Sequence, residues 1–267
     1  MNYSMIIKEM VWSYSRVSTF DSCPYQFFLQ YISREEQTNS FFADYGKLMH
    51  SVLEKYLSGE LSDEALTTDY ILRYRDVVKG KAPNPKMAKK YFQGGIDYLN
   101  DVNFPYSLKH VLWVEEPARF MVGDFDFMGF IDCLIDDPED GLVLLDHKSR
   151  QLRPRSPRKK KPPTKSDLEL DKYERQLYLY CIAVKDKIGR YPDHIAFNCF
   201  RNEPKKRLIK DPFDEDKFEA AKQWAIDTIN TITNNEDWDA EMEFWKCNHL
   251  CSLNHTCEYF LDHDGKW

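Results

Sequence analysis

Two acids and a lysine stand on either side of a turn-rich DPEDG segment, in an order that suits a catalytic hairpin. Asp132 precedes this segment, and Asp146 and Lys148 follow it two residues apart. Side chains at positions i and i+2 of a strand share one face, so Asp146 and Lys148 should point the same way. A strand, a turn and a second strand would bring Asp132 back beside them.

Such a trio suits phosphodiester hydrolysis. Carboxylate oxygens are hard ligands that favour Mg²⁺ or Mn²⁺, and water and phosphate oxygens complete the coordination of these ions. The lysine can orient or deprotonate a water, or neutralise charge that grows on a phosphate. The alternative is a surface hairpin whose charged side chains are merely solvated.

Further motifs accompany the hairpin in a defined order. Gly129 to Asp132 precedes Asp146 to Lys148, Gly46 to His50 lies upstream, and Gln176 and Tyr180 lie downstream. Together they resemble the PD-(D/E)XK nuclease superfamily and its RecB-like branch. In that branch the upstream helix brings a metal-binding histidine, and the downstream motif flanks the catalytic hairpin.

Cysteines near the C-terminus form another motif. They follow a C-x3-C-x5-C spacing, namely Cys247, Cys251 and Cys257. Three cysteines so close together in an intracellular chain suggest a metal. With Cys23 they resemble the iron-sulfur set of AddB, of CRISPR-associated RecB-like nucleases and of related viral exonucleases. The resemblance implies a 4Fe-4S cluster that fastens the N-terminal helix to the C-terminal tail, although relatives typically show C-x2-C. His249 and His255 keep zinc as an alternative.

The resemblance also implies the composition of the active site. The predicted metal ligands are the side chains of His50, Asp132 and Asp146 and the backbone carbonyl of His147. Apart from the resemblance, Glu115 at the end of a neighbouring strand pattern is a minor further candidate, because a strand-end carboxylate is more commonly exposed. The predicted catalytic residues are Asp132, Asp146, Lys148, Gln176 and Tyr180. Gln176 and Tyr180 lie four residues apart on one side of a helix, where they would position the strand or support Lys148. Taken alone, His50 would be an interface histidine and Tyr180 a core residue.

Composition indicates an ordinary soluble protein. The chain has 267 residues, of which 42% are hydrophobic and 30% charged, and it is long enough to bury a sizeable core. It shows no signal peptide and no run of about eighteen apolar residues that could span a bilayer. We therefore expect a cytoplasmic protein (host cytoplasm if the chain is viral) without a membrane partner, whose seven cysteines are thiols or metal ligands.

Positive charge is concentrated in one segment. The net charge is -7, but eight basic residues and no acid occur in the basic segment, residues 150–166. A solvated linker and a phosphate-contacting flap are both compatible with this composition. The predicted DNA contacts are Arg150, Arg153, Arg155, Arg158, Lys159, Lys160, Lys161, Lys205, Lys206 and Arg207.

Hydrophobic periodicity predicts the elements that position these residues. Helical patterns cover 41–57, 62–79, 84–102, 167–188 and 214–234, and strand patterns cover 110–120, 124–135 and HIAFNCFRN. With the resemblance they indicate an α/β restriction-endonuclease-like core, in which helices flank a mixed sheet. We predict one nuclease domain over 1–267. Its parts are a helical part (15–60), a catalytic α/β core (105–235) and a C-terminal cysteine segment (245–260).

The resemblance implies a metal-dependent DNA nuclease, most simply an exonuclease on single-stranded DNA or DNA ends, acting in recombination, repair or end processing. The chain has no GxxxxGK phosphate-binding loop, so a helicase or recombination partner would have to open the ends. Homo-oligomeric rings occur among such nucleases, but these residues specify none. The alternative is a non-catalytic DNA-binding or assembly module, which would have no need of two acids near a phosphate.

Overall fold

The N-terminal part of the chain consists of short helices. A computed structural model describes residues 3–102, 104–157 and 162–263. The first helices are α1 (Ser4–Lys8), α2 (Tyr14–Ser22) and α3 (Pro24–Phe27), and a π-helical turn follows α3. Pro24 begins α3, where its missing N–H leaves no hydrogen bond unmade, and the Cys23 thiol accepts a hydrogen bond from Gln26 N at 3.4 Å. Pro24 therefore separates α3 from α2.

Three longer helices follow and cover one face of the sheet. They are α4 (Phe41–Leu57), α5 (Asp63–Val77) and α6 (Pro85–Asn100). The buried side of α4 repeats at helical spacing, with Leu48, Met49, Val52 and Leu53 all fully buried. This face packs on the sheet. It thereby fixes the rotation of α4 about its own axis and the side of the helix on which His50 lies.

A five-stranded sheet forms the centre of the molecule. Its strands are β1 (Val111–Val122), β2 (Phe125–Asp137), β3 (Gly141–Lys148), β4 (His194–Cys199) and β5 (Leu208–Pro212), in that spatial order. All neighbours are antiparallel except β3 and β4, whose parallel pairing requires a crossover. The crossover is α7 (Lys165–Ile188). The predicted mixed sheet flanked by helices is confirmed.

The remaining helices are α8 (Glu215–Thr233), which packs on α7, and the short α9 (Phe244–His249) and α10 (Glu258–Asp262). Side chains of the sheet alternate between two cores. In β3, Leu142 and Leu144 join the core under α7 and α8, whereas Val143 and Leu145 join the core under α4 to α6. No helix in the described ranges is long and apolar enough to cross a membrane.

The alternation is interrupted at one level of the sheet. Ile131 and Leu134 both pack under α7, whereas Cys133 packs on the other face, so the pattern skips a residue at Asp132. Opposite it in β1, Glu115 has a positive φ of 47°, while the pairs on either side keep their register. Glu115 and Asp132 thus face each other at a break in the regular pleat.

Candidate active site

Asp132 occupies the point where the pairing of β2 with β3 ends. The last paired residues are Cys133 and Leu145, and beyond them the Asp132 carboxylate accepts a hydrogen bond from the backbone N–H of His147 at 2.8 Å. The side chain thereby takes over a bond that a strand carbonyl would otherwise make. The hairpin therefore carries Asp132 to the end of β3, beside the Asp146-His147-Lys148 run.

Lys148 and Asp146 form a tight ion pair on the α7 side. Lys148 Nζ lies 2.7 Å from Asp146 Oδ2 and donates a hydrogen bond to Gln176 Oε1 at 3.1 Å. The ammonium also lies over the ring of Tyr173, 5.1 Å from its centroid. Burial alone would lower the pKa of Lys148, but attraction to Asp146 outweighs burial and the pKa is raised. The side chain is therefore an ammonium at neutral pH, which suits orientation and charge neutralisation better than proton abstraction.

His50 and Glu115 approach Asp132 from two neighbouring elements. His50 Nδ1 lies 3.4 Å from Asp132 Oδ2 and 3.7 Å from Glu115 Oε1, and His50 Nε2 lies 2.9 Å from the carbonyl oxygen of His147. Ligand atoms of His50, Glu115 and Asp132 all lie within 4.8 Å of one another. Glu115, only a minor candidate in the sequence, is one of the three side chains that converge.

The carboxylates of this site repel one another. Burial, and then the charge of Asp146, raises the pKa of Asp132 to about 7. Burial disfavours the imidazolium of His50, but Asp132 and Glu115 together raise the pKa of His50 to about 9. Two acids, Glu115 and Asp132, and the carbonyl oxygen of His147 thus lie around His50, and oxygen ligands of this kind fit Mg²⁺ or Mn²⁺. The predicted ligand Asp146 is not in this group, because its carboxylate is paired with Lys148. His50 would have to give up its proton in order to join the ligands.

Buried polar residues contact the imidazole ring of His147. Asn198 on β4 lies with Nδ2 3.2 Å from His147 Nδ1 and donates a hydrogen bond to Tyr98 Oη at 2.7 Å. Burial holds the pKa of His147 well below its usual range, so the ring is neutral. Sequence reasoning missed Asn198 and Tyr98. The available signal was a lone amide within the apolar HIAFNCF run.

The predicted helical motif touches the hairpin at two points. Gln176 reaches Lys148, and Tyr180, one turn further along α7, packs against Gly129 of β2. A Cβ atom on Gly129 would lie only 2.8 Å from Tyr180 Cε1. A side chain at this position would therefore require the Tyr180 ring, or α7 with it, to move.

The four predicted cysteine ligands lie together where the two ends of the chain meet. Cys23 joins α2 to α3, and Cys247 belongs to α9. Burial first, and then the charges of the Cys23, Cys247 and Cys257 thiols, raises the pKa of Cys251. Across the described chain, no three thiol sulfurs approach within 4.8 Å of one another. The other three cysteines, Cys133, Cys181 and Cys199, are buried in the two cores.

The predicted DNA contacts differ in how free their side chains are. Arg155 forms ion pairs with Asp171 at 2.6 Å and with the buried Glu174 at 2.8 Å, and Arg207 is buried and donates a hydrogen bond to Asp101 O at 2.9 Å. Both are held by the protein itself, so we no longer count them as DNA contacts. Arg150 pairs with Glu169 and Lys206 with Glu203, whereas Arg153 and Lys205 are exposed. The others lie outside the described residues, namely Arg158, Lys159, Lys160 and Lys161.

The fold and the site define a class of protein, in which a mixed sheet presents two acids and a lysine on an antiparallel hairpin beside a histidine-bearing helix. The model of the PD-(D/E)XK nuclease superfamily matches residues 11–258 of this chain. The chain therefore belongs to the PD-(D/E)XK nuclease superfamily.

Individual relatives match the chain over different shares of their length. The chain is 30% identical over 122 residues to a subunit of the ATP-dependent helicase/deoxyribonuclease of Clostridium botulinum, in strain Hall and likewise in strain Langeland. The match covers 44% of this chain and 10% of each of those proteins, so the chain spans about a tenth of their length. A solved structure from Eubacterium rectale, provisionally named an exonuclease, covers 96% of this chain and 91% of its own, with a TM-score of 0.54 and 15% identity. At that identity the likeness shows a shared fold.

Proposed function

We propose that this chain is a Mg²⁺- or Mn²⁺-dependent deoxyribonuclease that acts on single-stranded DNA or on DNA ends, with a role in recombination, repair or end processing. The observation that carries the proposal is the convergence of His50, Glu115 and Asp132 next to the Asp146–Lys148 ion pair. A module that only binds DNA gains nothing from acids gathered where a phosphate must approach.

Each residue has a distinct role in this proposal. His50, Glu115, Asp132 and Asp146, with the carbonyl of His147, would hold the ion, which supplies positive charge against the scissile phosphate. Lys148 would orient the attacking water through its ammonium and stabilise charge on the phosphate oxygens. Gln176 accepts a hydrogen bond from Lys148 and would keep it aimed at the water. Tyr180 would hold α7 against the hairpin.

The substrate and partners are proposed from the relatives. Proteins named as helicase/deoxyribonuclease subunits match the chain over only a tenth of their length, which supports a nuclease part that works with a separate motor. We accordingly propose that a helicase or recombination partner supplies opened ends, and that residues 1–267 form one nuclease domain that acts in the cytoplasm.

A 4Fe-4S cluster is the proposed occupant of the cysteine site. Its four predicted ligands come from two distant segments, and the Cys23, Cys247 and Cys257 thiols lie near enough to Cys251 to raise its pKa. Four cysteines are the usual ligand set of such a cluster. Zinc remains the alternative because the imidazoles of His249 and His255 belong to the same segment.

Digestion of end-labelled DNA tests the catalytic proposal. With Mg²⁺ or Mn²⁺, wild type should shorten single-stranded substrates, and Lys148→Ala and Asp132→Ala should each lose at least about a hundredfold in rate, or roughly 2.7 kcal/mol of transition-state stabilisation. Two matched controls should cut like wild type. Asp126→Ala removes an acid from the same strand, and Lys187→Ala removes a cation from α7; both residues form surface ion pairs.

If wild type never cuts, or if the two site variants cut as fast as wild type, the catalytic assignment fails and the DNA-binding or assembly module takes its place. Substrates labelled at the 5′ end and at the 3′ end would show the polarity of digestion.

A further inference from the structure

A cavity of about 620 Å³ lies between α6 and the residues that follow β3. It includes Ser149, the residue after the catalytic lysine, against which α4 packs so closely that a Cβ atom on Gly46 would lie 3.2 Å from Ser149 Oγ. Trp245 and Leu250 of the C-terminal cysteine segment line another part of the cavity. The cavity therefore joins the candidate active site to the cysteine segment.

The described lining of this cavity carries positive charge without any carboxylate. Its cations are Lys86, Lys90, Arg150 and Arg201. Arg150 is paired with Glu169, but within the described part of the chain no carboxylate lies at salt-bridge distance from the other three. Unpaired cations in a chain of net charge -7 mark a local surface that attracts phosphates.

A second cavity, also of about 620 Å³, extends this surface along α6. The two cavities share Lys86, Lys90, Gln151 and Arg201 in their linings. The second adds Lys89 and also the carboxylates of Asp97 and Asp101, so the positive charge is concentrated in the part that the two cavities share. We call the two together the α6 groove. Its lysines Lys86 and Lys90 lie about one helical turn, or roughly 6 Å, apart along α6, so they can contact neighbouring phosphates of one strand.

Flat side chains line the same groove. The guanidinium of Arg201 lies 3.6 Å from the ring centroid of Tyr91, and that ring packs against Phe42 at 5.3 Å. Trp245 is 40% exposed. Guanidinium and aromatic planes stack on unpaired bases, whereas the bases of a duplex are already stacked on one another and cannot reach them.

We propose that the α6 groove binds an unpaired DNA strand continuous with the strand at the candidate active site, with phosphates on Lys86 and Lys90 and bases stacked on Arg201 and Trp245. This inference deepens the proposed function and rests on it. It gives the cysteine segment a second consequence, because the segment supplies a wall of the groove as well as joining the two ends of the chain.

Binding without divalent metal tests the groove separately from catalysis. A fluorescent thymidine oligonucleotide of about 16 nucleotides is titrated with the protein in EDTA, and its anisotropy is recorded at several salt concentrations. Arg201→Ala and Trp245→Ala should each weaken binding about tenfold, because each variant loses one base-stacking contact. Lys90→Ala should weaken binding and make the salt slope shallower by about 0.7 for each phosphate that the protein no longer neutralises.

Two further variants are matched controls. Lys222→Ala removes a cation from α8, on the opposite side of the sheet, and should bind like wild type. Trp245→Phe keeps an aromatic ring and should restore most of the affinity that Trp245→Ala loses, which separates stacking from damage to the cysteine segment.

The proposal is overturned if the groove variants bind the oligonucleotide like wild type, or if they lose as much affinity for a hairpin duplex as for the single strand, which would assign the groove to duplex DNA. It is also overturned if only the lysine variant weakens binding. If the protein binds the oligonucleotide as expected but never cleaves DNA, the proposed function is wrong and the proposed role of the α6 groove is supported.

Discussion

At the scale of single residues, Glu115 combines an unusual backbone with a place among the metal-ligand candidates. A positive φ at a residue other than glycine costs about 1 to 3 kcal/mol, and such conformations persist where the surroundings enforce them. Here the break in pleat at Glu115 turns its carboxylate to within 3.7 Å of His50, whereas the next residue, Glu116, pairs with Lys187. The backbone conformation therefore selects one of two adjacent glutamates.

Calorimetric titration with Mn²⁺ tests this selection. Glu115→Gln should weaken Mn²⁺ binding at least about tenfold, or about 1.4 kcal/mol, because it removes one anionic oxygen from the set that faces the ion. Glu116→Gln changes the same atoms one residue away and should leave the affinity unchanged, losing only a surface ion pair. Equal effects of the two substitutions would show that general negative charge, and not the position of Glu115, attracts the ion.

At the scale of elements, Asp167 connects two residues of the basic segment, Ser156 and Thr164, to the start of α7. Its carboxylate accepts hydrogen bonds from the backbone N–H groups of Ser156 and Thr164, both at 2.8 Å, and from both of their hydroxyls. The hydroxyl oxygen of Thr164 in turn accepts a hydrogen bond from the backbone N–H of Asp167 at 3.2 Å, which completes a capping box. Ser156 and Thr164 are therefore held close together at the start of α7, next to Arg155 and its ion pairs.

The free energy of unfolding at acidic pH should depend on Asp167. Its hydrogen bonds, first the one from the Ser156 backbone, lower the pKa of Asp167 below its ordinary value of 3.8. The stabilisation of the folded state by these hydrogen bonds is complete above pH 3.8, the ordinary pKa of the unfolded chain's carboxyl. It is lost as the pH falls from there through the lowered pKa of the folded state. Asp167→Asn should therefore have a lower urea midpoint than wild type at pH 7, and the difference should shrink below pH 3.8. Asp186→Asn, at an exposed site on the same helix, should show no such difference. A gap that stays constant down to pH 2 would contradict this origin.

A pair of glycines tests how closely α7 must approach the hairpin. Gly129→Ala should lower the free energy of unfolding by about 1 to 3 kcal/mol, because its new Cβ overlaps Tyr180. It should also slow cleavage, since Gln176 and Tyr180 move together with α7. Gly94→Ala in α6 meets no atom within 4 Å and should raise stability by up to about 1 kcal/mol. Urea denaturation distinguishes the two, and an unchanged midpoint for Gly129→Ala would show that α7 can shift at little cost.

The local sequence pattern predicted the positions of helices and strands well, and the contacts between them less well. The helix predicted over 41–57 is observed at Phe41–Leu57, because every turn of it repeats apolar residues. Hydrophobic periodicity also located the strands on both sides of the DPEDG turn. The break at Asp132, the buried amide of Asn198 and the internal partners of Arg155 arise from packing between distant segments, and no local spacing encodes them.

At the scale of the whole molecule, the cysteine site joins segments from the two ends of the chain. Lys246 Nζ donates hydrogen bonds to Ser22, and Thr38 N donates one to Ser252 O at 2.9 Å, so the C-terminal cysteine segment packs on the N-terminal helices even apart from any metal. The ring of Tyr25 also packs on that of Tyr259 at 4.9 Å, and Ser252 Oγ donates a hydrogen bond to Gln37 Oε1 at 3.0 Å. The proposed cluster should add to this attachment, since metal bonds between distant segments stabilise the folded state strongly.

Removing one ligand should therefore loosen both ends at once. Anaerobically purified wild type should be brown, with iron and sulfide near four per chain, as the proposed 4Fe-4S cluster requires. The Cys251→Ser variant should lose this colour and become less soluble. Backbone amides around Cys23 should also exchange their hydrogens faster in this variant. Cys181→Ala, which removes a thiol from the core under α7, should lose some stability but keep the colour. Colourless wild type with stoichiometric zinc would replace the cluster by a zinc site. Unchanged exchange around Cys23 in Cys251→Ser would show that packing alone holds the ends together, because the N-terminal helices would then remain closed without their metal connection.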